Sequence, residues 1–276
     1  MKRDFNDGLD FAKELDKNDE LKDFRRRFYI NQNEIYMDGN SLGLASKDAI
    51  KLIEEVQNIW KDYAIRMFDD SLQNGKYFLY HKFLGAKQAK LINAKEDEVT
   101  IMTNTTINIH QAIATLYKPT KEKYKILVDD LNFATDWYAV DSQVKLHGFE
   151  IEDAVKIVKS RDGRMINEDD IIAAMSDDVA LVHLPSLLYR SAQLVDMEKV
   201  TKAAHEKGII IGWDLCHSIG AVPHDFSKYK PDYAVWCNYK YISAGPGAPA
   251  GFYLNERHFD KEVGLAGWHG SDKSLQ

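Results

Sequence analysis

Apolar positions along this chain recur with two alternating periods. From Ser46, "SKDAIKLIEEVQNIWKDYAIRMF" places Ile50, Ile53, Val56, Ile59, Trp60 and Tyr63 on one helical stripe, with Ser46 available as N-cap. Beyond it, short β-like runs alternate with helical stretches. "VTIM" (99–102) precedes "TTINIHQAIATLY", and "KILV" (125–128) precedes "TDWYAVDSQVKLHG", where Gly148 suits the position after a helix end. "AVKIV" (154–158) leads to "NEDDIIAAM", with Asn167 as a cap. "VALVHL" (179–184) leads to "DMEKVTKAAHEKG", with Asp196 as cap and Gly208 as stop. "IIIGWD" (209–214), "YAVWCN" (233–238) and "AGFYLN" (250–255) complete the series.

Strands alternating with helices of this length predict βαβ crossovers. The fold class expected is therefore α/β, a three-layer αβα arrangement with a mostly parallel sheet. Continuous apolar runs such as "IIIGW" fit strands buried on both faces. In such sheets ligands collect at the carboxyl ends of the strands, which is where chemistry is to be sought.

Composition narrows the function classes. With 276 residues and 45% hydrophobic content the chain can bury a substantial core, as one large domain or two small ones. A net charge of −7 argues against nucleic acid or an anionic membrane surface as a partner. No apolar run is long enough for a membrane span. The opening "MKRDFNDGLDFAKELDKNDELKDF" reads as a polar helix and lacks the apolar stretch of a signal peptide. Cys216 and Cys237 are the only cysteines, and a reduced cytosolic pair is the better reading. Nine histidines without ligand spacing give a metal site no support.

Four strand ends carry suggestive side chains. Thr105 and Thr106 open a helix after "VTIM"; they are ordinary capping residues or an anion site. Phe133 and Asp136 follow "KILVDD" and taken singly belong to a turn and cap. Asp214 ends an apolar strand with His217 three residues on, and a carboxylate there requires a cationic or hydrogen-bonding partner unless it merely caps. Lys240 lies 26 residues after Asp214, where a solvated loop lysine is the default. Taken together, however, these residues are what pyridoxal phosphate (PLP) needs. The lysine bonds the aldehyde, and the carboxylate keeps the pyridine nitrogen protonated. A helix start holds the phosphate, and an aromatic ring packs on the cofactor face. The protonated pyridine and exclusion of water are expected to lower the lysine pKa.

Six stretches carry a resemblance: "MDGNSLGL" (37–44), "TNTTINIH" (103–110), "YKILVDDLNFATDWYAVDSQVKLHG" (124–148), "WDLCHSIGAVPHDF" (213–226), "YAVWCNYKYISAGPGAPAGFYLNERH" (233–258) and "GLAGWHG" (264–270). In order and content they resemble kynureninase. That family consists of PLP enzymes with the fold type I (aspartate aminotransferase) large domain, in the group related to cysteine desulfurases and class V aminotransferases. The resemblance implies that Lys240 is the Schiff-base lysine and Asp214 the pyridinium partner. It places Thr105 and Thr106 at the phosphate or cofactor edge, and Phe133 on the ring with Asp136 nearby. His217 and Tyr239 complete the polar contacts, with Tyr239 also a proton relay. Trp268 is similar to a tryptophan that reaches the cofactor across a dimer interface, and Ser41 to a serine facing the substrate.

The activity so implied is hydrolysis of the Cβ–Cγ bond of kynurenine or 3-hydroxykynurenine, a cytoplasmic step of tryptophan catabolism and NAD biosynthesis performed by a homodimer. The family's chain continues past the equivalent of Gln276 into a small domain that supplies an arginine for the substrate carboxylate. Neither Arg66 nor Arg190 aligns with it. Residues 1–45 then form an N-terminal segment, 46–260 the PLP-binding large domain, and 261–276 the start of a truncated C-terminal region, the chain being a truncated gene product, a fragment, or half of a split enzyme whose remainder is a separate chain. His269 stands where the family often has phenylalanine, and Leu187 and Leu188 replace polar positions. Two other readings stay open: a cysteine desulfurase or class V aminotransferase, although desulfurases stack histidine where Phe133 stands, and a PLP-binding protein without turnover.

Overall fold

A computed structural model describes residues 6–69, 72 and 76–267. The strands form where the alternation predicts them: β1 (Val99–Met102), β2 (Lys125–Asp129), β3 (Val155–Val158), β4 (Val179–Pro185), β5 (Ile210–Asp214), β6 (Tyr233–Trp236) and β7 (Ala250–Leu254). Among the described residues they make one seven-stranded sheet in the order β1-β7-β6-β5-β4-β2-β3. β2 pairs parallel with β3 and β4, β4 with β5, and β5 with β6, whereas β7 runs antiparallel to both β6 and β1. Two successive antiparallel pairings restore direction, so β1 points the same way as β6. The carboxyl ends of β1, β2, β5 and β6 consequently open on one edge of the sheet.

The helices are α1 (Leu9–Asn18), α2 (Lys47–Tyr63), α3 (Tyr80–Ala89), α4 (Thr105–Leu116), α5 (Ala134–Leu146), α6 (Ile151–Ala154), α7 (Glu168–Ala174), α8 (Met197–Glu206) and α9 (Phe226–Tyr229). Their ends follow the local chemistry. Ser46, Asn167 and Asp196 each accept a backbone N–H of the first turn they cap, and Gly148 and Gly208 follow α5 and α8 at positive φ.

Alternate strand residues feed two separate cores, one on each sheet face. Ala89 of α3, Ile171 of α7, and Val200 and Ala204 of α8 pack on Val182, Ile211, Trp213 and Trp236. On the opposite face Ile109, Ile113 and Leu116 of α4 and Val140 and Val144 of α5 pack on Ile126, Val128, Leu181 and Val235. This is the three-layer αβα arrangement expected from the sequence. Helix α2 stands apart from both cores. Its apolar stripe forms as predicted, yet none of its residues is buried, and Ile53 and Trp60 remain 49% and 66% exposed. Helix α3 has no counterpart in the periodicity reading, because it buries only Gly85 and Ala89. Among the described residues no helix is long and apolar enough to cross a membrane.

Candidate active site

The strand ends converge on a cavity of about 150 Å3 lined by Asn104, Thr105, Thr106, Phe133, Thr135, Asp136, Asp214, Cys216, His217, Tyr239 and Lys240. Eight of these are residues that the sequence singled out: Thr105, Thr106, Phe133, Asp136, Asp214, His217, Tyr239 and Lys240. A larger and more apolar cavity of about 290 Å3 lies between α4, β1 and β7. Its buried imidazole, His258, is already paired with Asp232 at 2.7 Å, so the reactive groups gather in the smaller cavity.

Lys240 follows β6 and is only 8% exposed, which excludes the solvated-loop reading. Its Nζ lies 2.8 Å from the Nε2 of His217 and 5.9 Å from the ring centres of both Phe133 and Tyr239. Burial, and next the charge of Lys240, depress the His217 pKa to about 4. The ring is therefore neutral at physiological pH and accepts from the amine.

The Asp214 carboxylate closes the end of β5. Its Oδ1 accepts the Cys216 N–H at 2.6 Å. Burial and the nearby charge of Asp136 push its pKa up, and the Lys240 charge offsets only part of that rise. A buried acid held this way is short of positive charge, and a cation in the cavity would restore the balance.

The third wall is the start of α4. Asn104 caps the helix, its side chain accepting the Ile107 N–H at 3.0 Å. Thr105 and Thr106 occupy the first two helical positions, whose N–H groups have no partner within the helix. These donors, the helix dipole and two hydroxyls suit an anion. The Thr105 hydroxyl also lies 3.8 Å from the Cys216 sulfur, which ties this wall to the Asp214 turn. Cys216 and Cys237 are both free and buried.

The "GNSLGL" stretch docks beside Lys240. The Gly43 N–H donates to the Tyr239 carbonyl at 2.7 Å. A Cβ on Gly43 would lie 2.2 Å from the Lys240 carbonyl oxygen, so only glycine permits the approach. Ser41 is outside the cavity wall, and its hydroxyl donates to Asp38 at 2.8 Å. Trp268 and His269 lie outside the described residues. Tyr189, to which the sequence assigned no site role, packs edge-on to Phe133 at 5.6 Å and stacks on His217 at 5.7 Å. Its position in the loop after β4 was the available signal.

The sheet order and the strand-end cavity define a doubly covered α/β protein with the large-domain architecture of PLP-dependent transferases. The Aminotransferase class-V family matches residues 51–248, and the chain belongs to that family. Among curated relatives, kynureninase of Bacillus anthracis is 50% identical over 275 residues, covering 100% of this chain and 64% of the relative. Kynureninase of Geobacillus thermodenitrificans is 49% identical over 270 residues, covering 97% of this chain and 62% of the relative. The chain thus spans somewhat under two thirds of the length of these relatives. Two solved structures share the fold at low identity. The cystine C–S lyase C-DES in complex with cysteine persulfide has a TM-score of 0.69 at 17% identity, over 82% of this chain and 58% of that one. An apo cysteine desulfurase from Thermococcus onnurineus has a TM-score of 0.71 at 19% identity, over 90% of this chain and 60% of that one.

Proposed function

We propose that this chain carries the cofactor site of a kynureninase-type hydrolase. It would cleave the Cβ–Cγ bond of kynurenine or 3-hydroxykynurenine, giving alanine and anthranilate or its 3-hydroxy form. The observation that carries this reading is that the Lys240 amine and the Asp214 carboxylate line one small cavity with a helix start in its wall. About 50% identity to curated kynureninases along the whole chain supports the substrate class.

The donor set fits pyridoxal phosphate. Lys240 would supply the amine for the covalent link, and Asp214, short of a positive partner, would hold the proton on the pyridine nitrogen. The first N–H groups of α4 and the hydroxyls of Thr105 and Thr106 would hold the phosphate. Phe133 would pack on the ring, and His217 and Asp136 would supply polar contacts. When bound, the cofactor supplies an electron sink for the negative charge that develops at the substrate Cα.

The chain's own groups then manage protons. Lys240 would take the Cα proton and return one later. Cleavage of the Cβ–Cγ bond requires water at the γ-carbonyl. Burial holds the Tyr239 hydroxyl well above its ordinary pKa, so Tyr239 remains a proton donor for that step. Ser41 acts at the substrate end of the "GNSLGL" segment, and Trp268 contributes from a second subunit.

Residues 46–260 constitute the PLP-binding large domain of a cytoplasmic, homodimeric enzyme. The exposed apolar stripe of α2, with Ile50, Ile53 and Trp60, supports an assembly face. The test is to load the chain with PLP, add kynurenine, and follow anthranilate fluorescence with alanine release. Formation of both products is expected. A cofactor spectrum without either product reduces the reading to binding alone, and alanine release from cysteine instead points to a desulfurase.

A further inference from the structure

Behind the cavity wall three polar side chains lie buried in a line. Tyr233 on β6 and His183 on β4 are fully buried, and Asp136 at the start of α5 is 1% exposed. The Tyr233 hydroxyl is 3.0 Å from His183 Nδ1, and His183 Nε2 is 3.3 Å from Asp136 Oδ2. Asp136 itself lines the cavity.

The sheet register makes room for this line. His183 sits opposite Gly212 on β5, and Gly212 opposite Tyr233. A Cβ at Gly212 would lie 1.9 Å from the Tyr233 ring, so only glycine lets that ring cross β5. The two rings stack at 5.8 Å, within 6° of parallel. A polar line across three central strands is an expensive feature for a core, and its outer end is at the cavity.

The Tyr233 donor and the Asp136 acceptor together favour one set of hydrogen-bond roles along the line. A carboxylate only accepts, so a hydrogen bond from His183 to Asp136 needs the His183 proton at Nε2. Nδ1 is then bare and takes the Tyr233 O–H, which burial keeps protonated. His183 Nε2 and Asp136 Oδ2 are close but not aligned for a hydrogen bond, and neither has a hydrogen-bond partner among the described residues. Each is a near partner for the other at 3.3 Å, and a small rotation of the carboxylate completes the bond.

We propose that Tyr233 and His183 are positioning residues that hold His183 as the Nε2–H tautomer and thereby fix the Asp136 carboxylate at the cavity wall. The inference rests on the functional reading above only in naming pyridoxal phosphate as the group Asp136 faces. Asp136 keeps one oxygen turned to His183 and offers the other to the ligand.

Two measurements test it, one of which requires no cofactor. Nitrogen NMR of isotope-labelled histidines, with the His183 signals assigned by their loss in His183→Gln, reads the tautomer directly. Nε2 protonated and Nδ1 bare at neutral pH is expected in the native chain, and a mixture of tautomers in Tyr233→Phe. A native Nδ1–H tautomer, or a doubly protonated ring, would overturn the proposal. The second measurement is PLP affinity by fluorescence titration, with thermal melts to confirm folding. His183→Phe should bind about tenfold more weakly or worse, the usual effect of losing a hydrogen bond to a charged group. His183→Gln, whose amide can donate to Asp136 and accept from Tyr233, should recover most of that loss. Native affinity in a folded His183→Phe contradicts the proposal. If the native chain takes up no PLP, the functional reading fails, and the tautomer result alone decides this inference.

Discussion

The Lys240 amine and the His217 imidazole meet at 2.8 Å inside the strand-end cavity, with the imidazole as acceptor. That relationship has a stability consequence. His217 and the buried His224 both have pKa values near 4 in the fold, each lowered chiefly by burial. In the unfolded chain both take up protons near pH 6.5. Between about pH 6.5 and 4 the unfolded state therefore binds more protons, and stability falls as pH falls. Asp129 and Asp214 work the other way, because burial raises their pKa values to about 6 and about 7, so each gains a proton in the fold before it does so unfolded. The two pairs nearly offset, so urea midpoints should change little between pH 7.5 and 5. In His224→Gln the midpoint should instead rise as the pH falls through 6.5, and an unchanged profile would exclude this origin.

Gly43 is a contact point, since its Cβ position is occupied by the Lys240 carbonyl oxygen and by the Ser243 hydroxyl at 2.3 Å. The carbonyl is backbone and cannot turn aside. Gly43→Ala should destabilise the chain by about 1–3 kcal/mol, the range for overpacking a close contact. It should also speed proteolytic cleavage within 31–44. Denaturant titration and timed digestion check both effects.

Asn104→Ala removes the side-chain cap of α4 at the wall formed by Thr105 and Thr106. A loss of about 1 kcal/mol in stability is expected. PLP should also bind more weakly and be displaced by less inorganic phosphate than in the native chain. Competition titrations with phosphate measure this, and an unchanged phosphate midpoint would move the anion site elsewhere.

Asp214→Asn separates stability from function. Replacing a buried carboxylate whose pKa is raised by burial and by Asp136 removes a cost to the apo fold. The cofactor-free variant should gain on the order of 1 kcal/mol, as substitutions at strained functional sites commonly do. Under the proposed function, turnover of kynurenine should fall by a factor of about 100 or more, since a proton on the ring nitrogen would lose its partner. Calorimetry and product fluorescence on the same preparation test the pair of effects.

Much of this was legible in the sequence because the relevant signals are local. The seven strands, the caps at Ser46, Asn167 and Asp196, and the strand-end positions of Asp214 and Lys240 follow from periodicity and side-chain chemistry. Three things were not legible, each for a long-range reason. Helix α3 buries two small residues, so its pattern carries no apolar stripe. Tyr189 enters the site by packing on Phe133 and His217, which lie far away in sequence. The link from Tyr233 through His183 to Asp136 depends on the register of β4, β5 and β6, and on a gap left by Gly212. The stripe on α2 was legible, but its outward orientation depends on what the rest of the chain leaves uncovered.

The claim on which the account turns is that Lys240 is the amine that bonds the cofactor. Loading the chain with PLP, reducing it with borohydride and mapping the modified peptide by mass spectrometry tests this directly. The predicted result is a pyridoxyl adduct on Lys240 at near-stoichiometric yield, absent from Lys240→Ala. An unmodified Lys240 with the adduct on another lysine would contradict it.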